Sequence, residues 1–180
     1  MSRQSWVETI ANATQDATAI ANSTSEALAF PALTVPANYL QDGRVFRLRA
    51  YGKLSTTGTP TIQFTIRLGG LAGTLLAQTE TITNGSGVTN VLWSITAMLV
   101  VRANGSSGSV LVIGDCTIQT NGSGDPTVKG HVFGVSGSDA PAPVTVDLTA
   151  DAALVLTGKW SAASASNTLT GMFLTIESLN

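Results

Sequence analysis

Arg44-Val-Phe-Arg-Leu-Arg-Ala-Tyr-Gly-Lys-Leu54 and, after a six-residue break, Thr61-Ile-Gln-Phe-Thr-Ile-Arg-Leu68 decide how this chain folds. In the second stretch Ile62, Phe64, Ile66 and Leu68 alternate with Thr61, Gln63, Thr65 and Arg67. In the first, Phe46, Leu48, Ala50 and Leu54 alternate with Val45, Arg47, Arg49, Tyr51 and Lys53. A period of two is that of a strand with one face buried and one wet. The break between them, Ser55-Thr-Thr-Gly-Thr-Pro60, is a loop by composition. Working outward, the same texture predicts strands over 75–82, 88–101, 109–119, 128–135, 144–148, 152–160 and 169–178. Much of Val91–Val101 and Val110–Ile113 is apolar on both faces, as expected at the centre of a sandwich or where one face meets another subunit. Asn84-Gly-Ser-Gly87, Asn104-Gly-Ser-Ser-Gly108 and Asn121-Gly-Ser-Gly124 are turns, because Asn and Gly tolerate positive φ. Short strands at this spacing indicate an all-β chain, an antiparallel β-sandwich or jelly roll. Residues 1–20 stand apart from the domain at 21–180. Trp6, Val7, Ile10, Ala13 and Ala17 mark either a short helix or an extended arm that ties into a neighbour.

Composition narrows the function. With 43% apolar residues, 11% charged residues and a formal charge of −2 over 180 residues, the chain has too little charge and too much apolar content for disorder. Its polar surface is built from 25 Thr, 17 Ser and 18 Gly rather than Lys and Glu. Such a surface is weakly protected against association, which suits an assembly subunit. A single cysteine, Cys116, excludes an intrachain disulfide and a multi-Cys zinc site, and no cofactor is expected. The N-terminus carries no signal or transit pattern, and no apolar run approaches a membrane span, so a soluble chain folding first in a cytoplasm is expected. The five Asn-x-Ser/Thr sites then read as turn residues rather than glycan acceptors.

Candidate sites are few. A nucleophile needs a base and an orienting group, and the lone His131 and Cys116 both lie in strand-like segments with no Gly-x-Ser-x-Gly nearby. A carboxylate pair for glycoside hydrolysis is not visible among eleven acids that fall mostly in turns. No enzyme is expected. Asp115, Asp125, Asp139, Asp147 and Asp151 lack calcium-loop spacing and read as turn caps, so no metal is expected. Gly69-Gly-Leu-Ala-Gly73 lacks the Lys-Ser/Thr of a phosphate loop and reads as a turn. The informative cluster is basic: Arg44, Arg47, Arg49, Lys53 and Arg67 fall within 24 positions, and parity puts Arg47, Arg49, Lys53 and Arg67 on outward faces. If the two strands are neighbours, these form a stripe that either touches an acidic protein surface or merely makes local ion pairs. Nucleic acid is not expected at a sequence pI of about 5.2.

The order of features from Phe30-Pro-Ala-Leu-Thr-Val-Pro-Ala-Asn-Tyr-Leu-Gln-Asp-Gly-Arg44 through the strand ending at Gly52-Lys53 to the one closing on Arg67-Leu-Gly-Gly70 resembles tailed-bacteriophage virion proteins of jelly-roll type. Thr89-Asn-Val-Leu-Trp-Ser-Ile95 and Val100-Val-Arg102 continue the likeness, which spans roughly residues 17–178. The resemblance implies a virion protein, commonly a homotrimer. On this reading it is a capsid decoration protein whose Trp6-bearing arm and Arg47/Arg49 stripe dock on the major capsid protein or other virion proteins. The alternative it implies is a receptor- or glycan-binding module of a tail fibre or spike, using Trp93, Trp160 or Tyr51.

Overall fold

The alternation along Arg44–Leu54 is realised as burial. Phe46, Leu48, Ala50 and Leu54 are buried while Arg49 and Tyr51 stand in solvent. The computed structural model describes residues 7–121, 127–135 and 140–180. In chain order the strands are β1 (Glu8–Ala13), β2 (Ile20–Ala21), β3 (Ala27–Leu28), β4 (Leu33–Val35), β5 (Val45–Ser55), β6 (Thr61–Leu68) and β7 (Thr74–Thr79). They continue with β8 (Ile82–Thr83), β9 (Val91–Ala103), β10 (Gly108–Gln119), β11 (Val128–Gly134), β12 (Val144–Val146), β13 (Ala152–Trp160) and β14 (Thr168–Ser178).

The front layer runs β1-β14-β5-β9-β10-β11, with β2 added to β14 and β12 to β10. The back layer runs β7-β6-β13-β3, with β8 on β6 and β4 on β13. Strand β11 pairs with β10 along Val128–Val132 and then with β7 through Phe133 and Gly134. The two layers are therefore one antiparallel sheet folded over at β11. This is the β-sandwich expected from the sequence, and the strands from β5 onward fall close to their expected places. The stretch 75–82 is interrupted at Glu80 and Thr81 between β7 and β8.

Two points that the sequence leaves open are settled. The short-helix alternative for the N-terminus does not form over residues 8–13: β1 is an edge strand on β14, pairing Glu8 with Ser178 and Ala13 with Leu174. Its Ile10, Ala11 and Ala13 pack against the core. Thr9, Asn12 and Thr14 are poor helix formers, and an open sheet edge offers their backbone groups partners that a lone helix turn would not. Second, β5 and β6 are not neighbours. β5 lies between β14 and β9 in front, and β6 lies between β7 and β13 behind.

The layers meet on aromatic rings. Trp93 of β9 is fully buried, with Phe64 of β6 at 5.1 Å and Phe30 at 6.2 Å between ring centroids. Its Nε1 donates to the Lys53 carbonyl at 3.3 Å, so the indole is buried without leaving its polar atom unpaired. Trp160 does the same from β13, donating to the Ile20 carbonyl at 3.2 Å. Gly52, on the neighbouring strand, makes room: a Cβ there would overlap the Trp93 ring and the Thr170 carbonyl. The β9–β10 hairpin turns through Gly105 at φ +95°, a conformation open to glycine and strained for other residues. Because the Gly52 contact includes backbone that cannot give way, Gly52→Ala is expected to cost about 1–3 kcal/mol, the usual range for overpacking. Chemical denaturation of the two proteins measures it.

Candidate binding face

The basic residues separate once the layers are known. Arg47, Arg49 and Lys53 rise from the outer face of the front layer, and Arg67 from the back. Most are already paired. Arg47 holds Glu177, its register partner on β14, with NH2 2.7 Å and Nε 2.8 Å from Oε2. Lys53 reaches Asp16 at 3.0 Å. Arg67 grips Glu26 with two bonds, Nε to Oε1 at 2.8 Å and NH2 to Oε2 at 3.0 Å. The Thr157 hydroxyl donates to the same carboxylate at 2.6 Å. Arg44 lies over the Tyr39 ring, 4.4 Å from its centroid. The continuous stripe is thus replaced by local pairs, because the turn at Ser55–Pro60 carries the chain from one layer to the other. Arg49 is the exception: it is exposed and has no ion-pair partner among the described residues. Trp6 lies outside the described residues.

Burial opposes the charge on Glu26, but the hydrogen bonds from Arg67 and Thr157 outweigh it and hold the carboxyl below its ordinary value. The same bond raises Arg67. The pair fastens the segment carrying β3 across the outer face of the back layer, with Glu26 and Arg67 each about one-fifth exposed.

What stands out is apolar. Register fixes rows of outward side chains across the front layer: Arg47, Met98 and Ile113; then Thr175, Arg49, Thr96, Asp115 and Val132; then Phe173, Tyr51, Ser94, Thr117 and Gly130. Ten large apolar side chains are exposed among the described residues, and six stand on this face: Tyr51, Leu92, Ile113, Val128, Val132 and Phe173. Leu92 is 54% exposed and Ile113 47%. Tyr51 and Phe173 pair at 6.1 Å between ring centroids. Parity in the sequence pointed to Tyr51. It missed Phe173, because the β14–β5 register shifts between Gly171 and Phe173 and breaks the alternation there. Trp93 and Trp160 lie in the core, so of the three aromatics expected to bind a glycan only Tyr51 reaches solvent.

Cys116 points inward from β10, and burial first, then the Asp115 and Glu80 carboxylates, push its thiol up. His131 is its cross-strand partner, yet its Nδ1 faces Glu80 and its buried Nε2 has no hydrogen-bond partner among the described residues. The thiol therefore lacks the base that a nucleophile needs. Of the aspartates read as turn caps, Asp147 and Asp151 accept from backbone, and Asp42 does the same. Asp151 accepts from Ala37 N at 2.8 Å, Asp42 from Asn104 N at 2.6 Å, and Asp147 from Thr149 N at 2.8 Å. Asp125 and Asp139 lie outside the described residues, whereas Asp115 stands on the front face. No group of three or more potential metal ligands occurs among the described residues.

No family model matches the chain, and no curated protein matches it significantly. Among solved structures, the CBM2 module of the evolved Dit of Lactobacillus casei BL23 phage J-1 is similar at 12% identity, covering 83% of this chain and 69% of that one. Its TM-score is 0.32, too loose a superposition to carry any argument about function.

Two outcomes follow from the geometry. Glu26 has a folded value below its ordinary 4.5, so its stabilisation is complete above that value and is lost as pH falls through the folded value. Glu26→Gln is expected to cost about 1–2 kcal/mol at neutral pH, with the difference from wild type shrinking in acid. Urea melts at stepped pH test this. Cys116 is expected to stay unmodified by a thiol reagent in the native protein and to react once denatured, read by mass spectrometry.

Proposed function

We propose that this chain is a structural protein of a tailed-bacteriophage particle that works by burying surface on other proteins, not by catalysis. The observation that carries the reading is the gathering of exposed apolar side chains on the outer face of the front layer. Large apolar side chains gathered in the open on one face mark an interaction site. The sequence resemblance supports the same assignment. So does the return of β14 to β5 and of β13 to β6, long-range pairing of the Greek-key kind that jelly rolls use. Capsid decoration is the finer assignment: copies of the chain bind the head lattice and stabilise it, each contact weak and the sum strong. The enclosed thiol and the engaged turn carboxylates support a non-catalytic role.

One observation favours a second reading. The Tyr51–Phe173 pair offers two exposed ring faces, the kind of surface on which sugar rings stack, as a glycan-binding module of a tail fibre or spike requires. The experiment separates the two. Purified chain is added to phage heads lacking it and, in parallel, to immobilised host-envelope glycans. Co-sedimentation with the heads and a higher temperature of head disruption are expected. Retention on glycans that Tyr51→Ala abolishes, without head binding, would replace decoration with the second reading, and binding to neither would overturn both.

A further inference from the structure

The outer face of the front layer is divided into halves that complement one another about β9. On the β5–β14 side stand the positive charge of Arg49 and the bulk of Tyr51 and Phe173. On the β10–β11 side, in the same rows, stand the negative charge of Asp115 and the small Thr117 and Gly130. Arg49 and Asp115 share a row with Thr96 between them, two strands apart, or about 10 Å at the ordinary strand spacing. Neither has an ion-pair partner among the described residues, while Arg47, two residues along β5, is satisfied by Glu177. The space above Gly130 is open.

We propose that this face is covered by a second copy of the same chain, the two related by a two-fold axis lying in the interface along β9. Such an axis exchanges the halves, which is the self-complementarity that an isologous contact requires. It sets each Arg49 against the other copy's Asp115, so one cross-chain charge pair occurs twice. It sets Phe173 over the open space at Gly130, and Met98, on β9 itself, against its own copy. Two sheets stacked in this way keep their strands within about 30° of one another, the usual aligned packing. The face spans five strands and four or five rows, roughly 650 Å² per copy at ordinary strand dimensions. That approaches the roughly 800 Å² per partner of a standard interface. The inference deepens the assembly reading above by naming the occupant of the face. A contact of this kind closes at two copies, not the three implied by the sequence resemblance. The dimer leaves both back layers free and so presents the particle with two equivalent surfaces.

The test is the solution mass of the full chain by light scattering over a concentration series, together with charge reversal. The expected mass is twice 18.4 kDa, about 37 kDa. Arg49→Glu places like charges together twice per dimer and is expected to weaken association roughly tenfold or more. The double variant Arg49→Glu/Asp115→Arg restores opposite charges and is expected to recover association to within roughly threefold of wild type. Both positions are exposed, and circular dichroism confirms that the variants fold. A mass of one or three chains at every concentration, a dimer indifferent to Arg49→Glu, or a double variant as weak as the single one overturns the proposal. Head binding by a chain that stays monomeric overturns this inference alone, whereas a charge-dependent dimer that binds no heads sustains it and overturns the decoration reading.

Discussion

The burial of Trp93 between the layers is the contact on which the rest of the structure depends. The ring belongs to the front layer, touches Phe64 of the back layer and Phe30 of the segment before β4, and closes its own hydrogen bond on the Lys53 carbonyl. It fits because Gly52 presents no side chain to it from the adjacent strand. One side chain thus ties β5, β6, β9 and the N-terminal segment together. Ile62, Ile66, Ile95, Ile118 and Leu169, among the most buried members of the core, bring no side-chain polar atoms to satisfy. Trp160 repeats the device from β13, with its donor on Ile20.

Shortage of charge shapes the surface as the tryptophans shape the core. The described ion pairs are few and all join elements distant in the chain; three of the four fasten segments near the chain's ends: Arg47 to Glu177, Arg67 to Glu26, and Lys53 to Asp16. The first braces β14 on β5, and the others hold N-terminal segments against a layer. Each is partly exposed, so each contributes modestly to stability and more to register. On the front face Leu92, Ile113, Val132, Tyr51 and Phe173 stand exposed around the polar row of Arg49, Thr96 and Asp115. A monomer would be exposed to edge and face association, and an assembly subunit uses the same surface.

The long strands were legible because alternation is local: a side chain's face follows from its parity, whatever the neighbouring strand. Arg47, Arg49 and Lys53 were placed on the outer face on that basis alone. The short β2, β3 and β4 were not legible, since two or three residues carry no period. β1 was ambiguous because Ile10 and Ala13 suit one turn of helix as well as a strand edge. Phe173 was hidden by a register shift. The sequence left open whether the basic residues form a stripe or local ion pairs, because proximity across a loop does not tell whether the next strand stays in its sheet or crosses to the other; the structure pairs Arg47, Lys53 and Arg67 locally.

The amino-acid sequence by itself determined an all-β sandwich, the inward and outward faces of its long strands, and the turn chemistry of Asn-Gly and Asp. These depend on neighbours in the chain and on composition. Tertiary structure alone decided that β5 and β6 lie in opposite layers, that Arg67 serves Glu26 while Arg49 has no ion-pair partner among the described residues, and that Trp93 and Trp160 are core while Phe173 is surface. Each of those outcomes is a pairing between strands far apart in sequence, set by which buried faces fit together, and no local pattern encodes it.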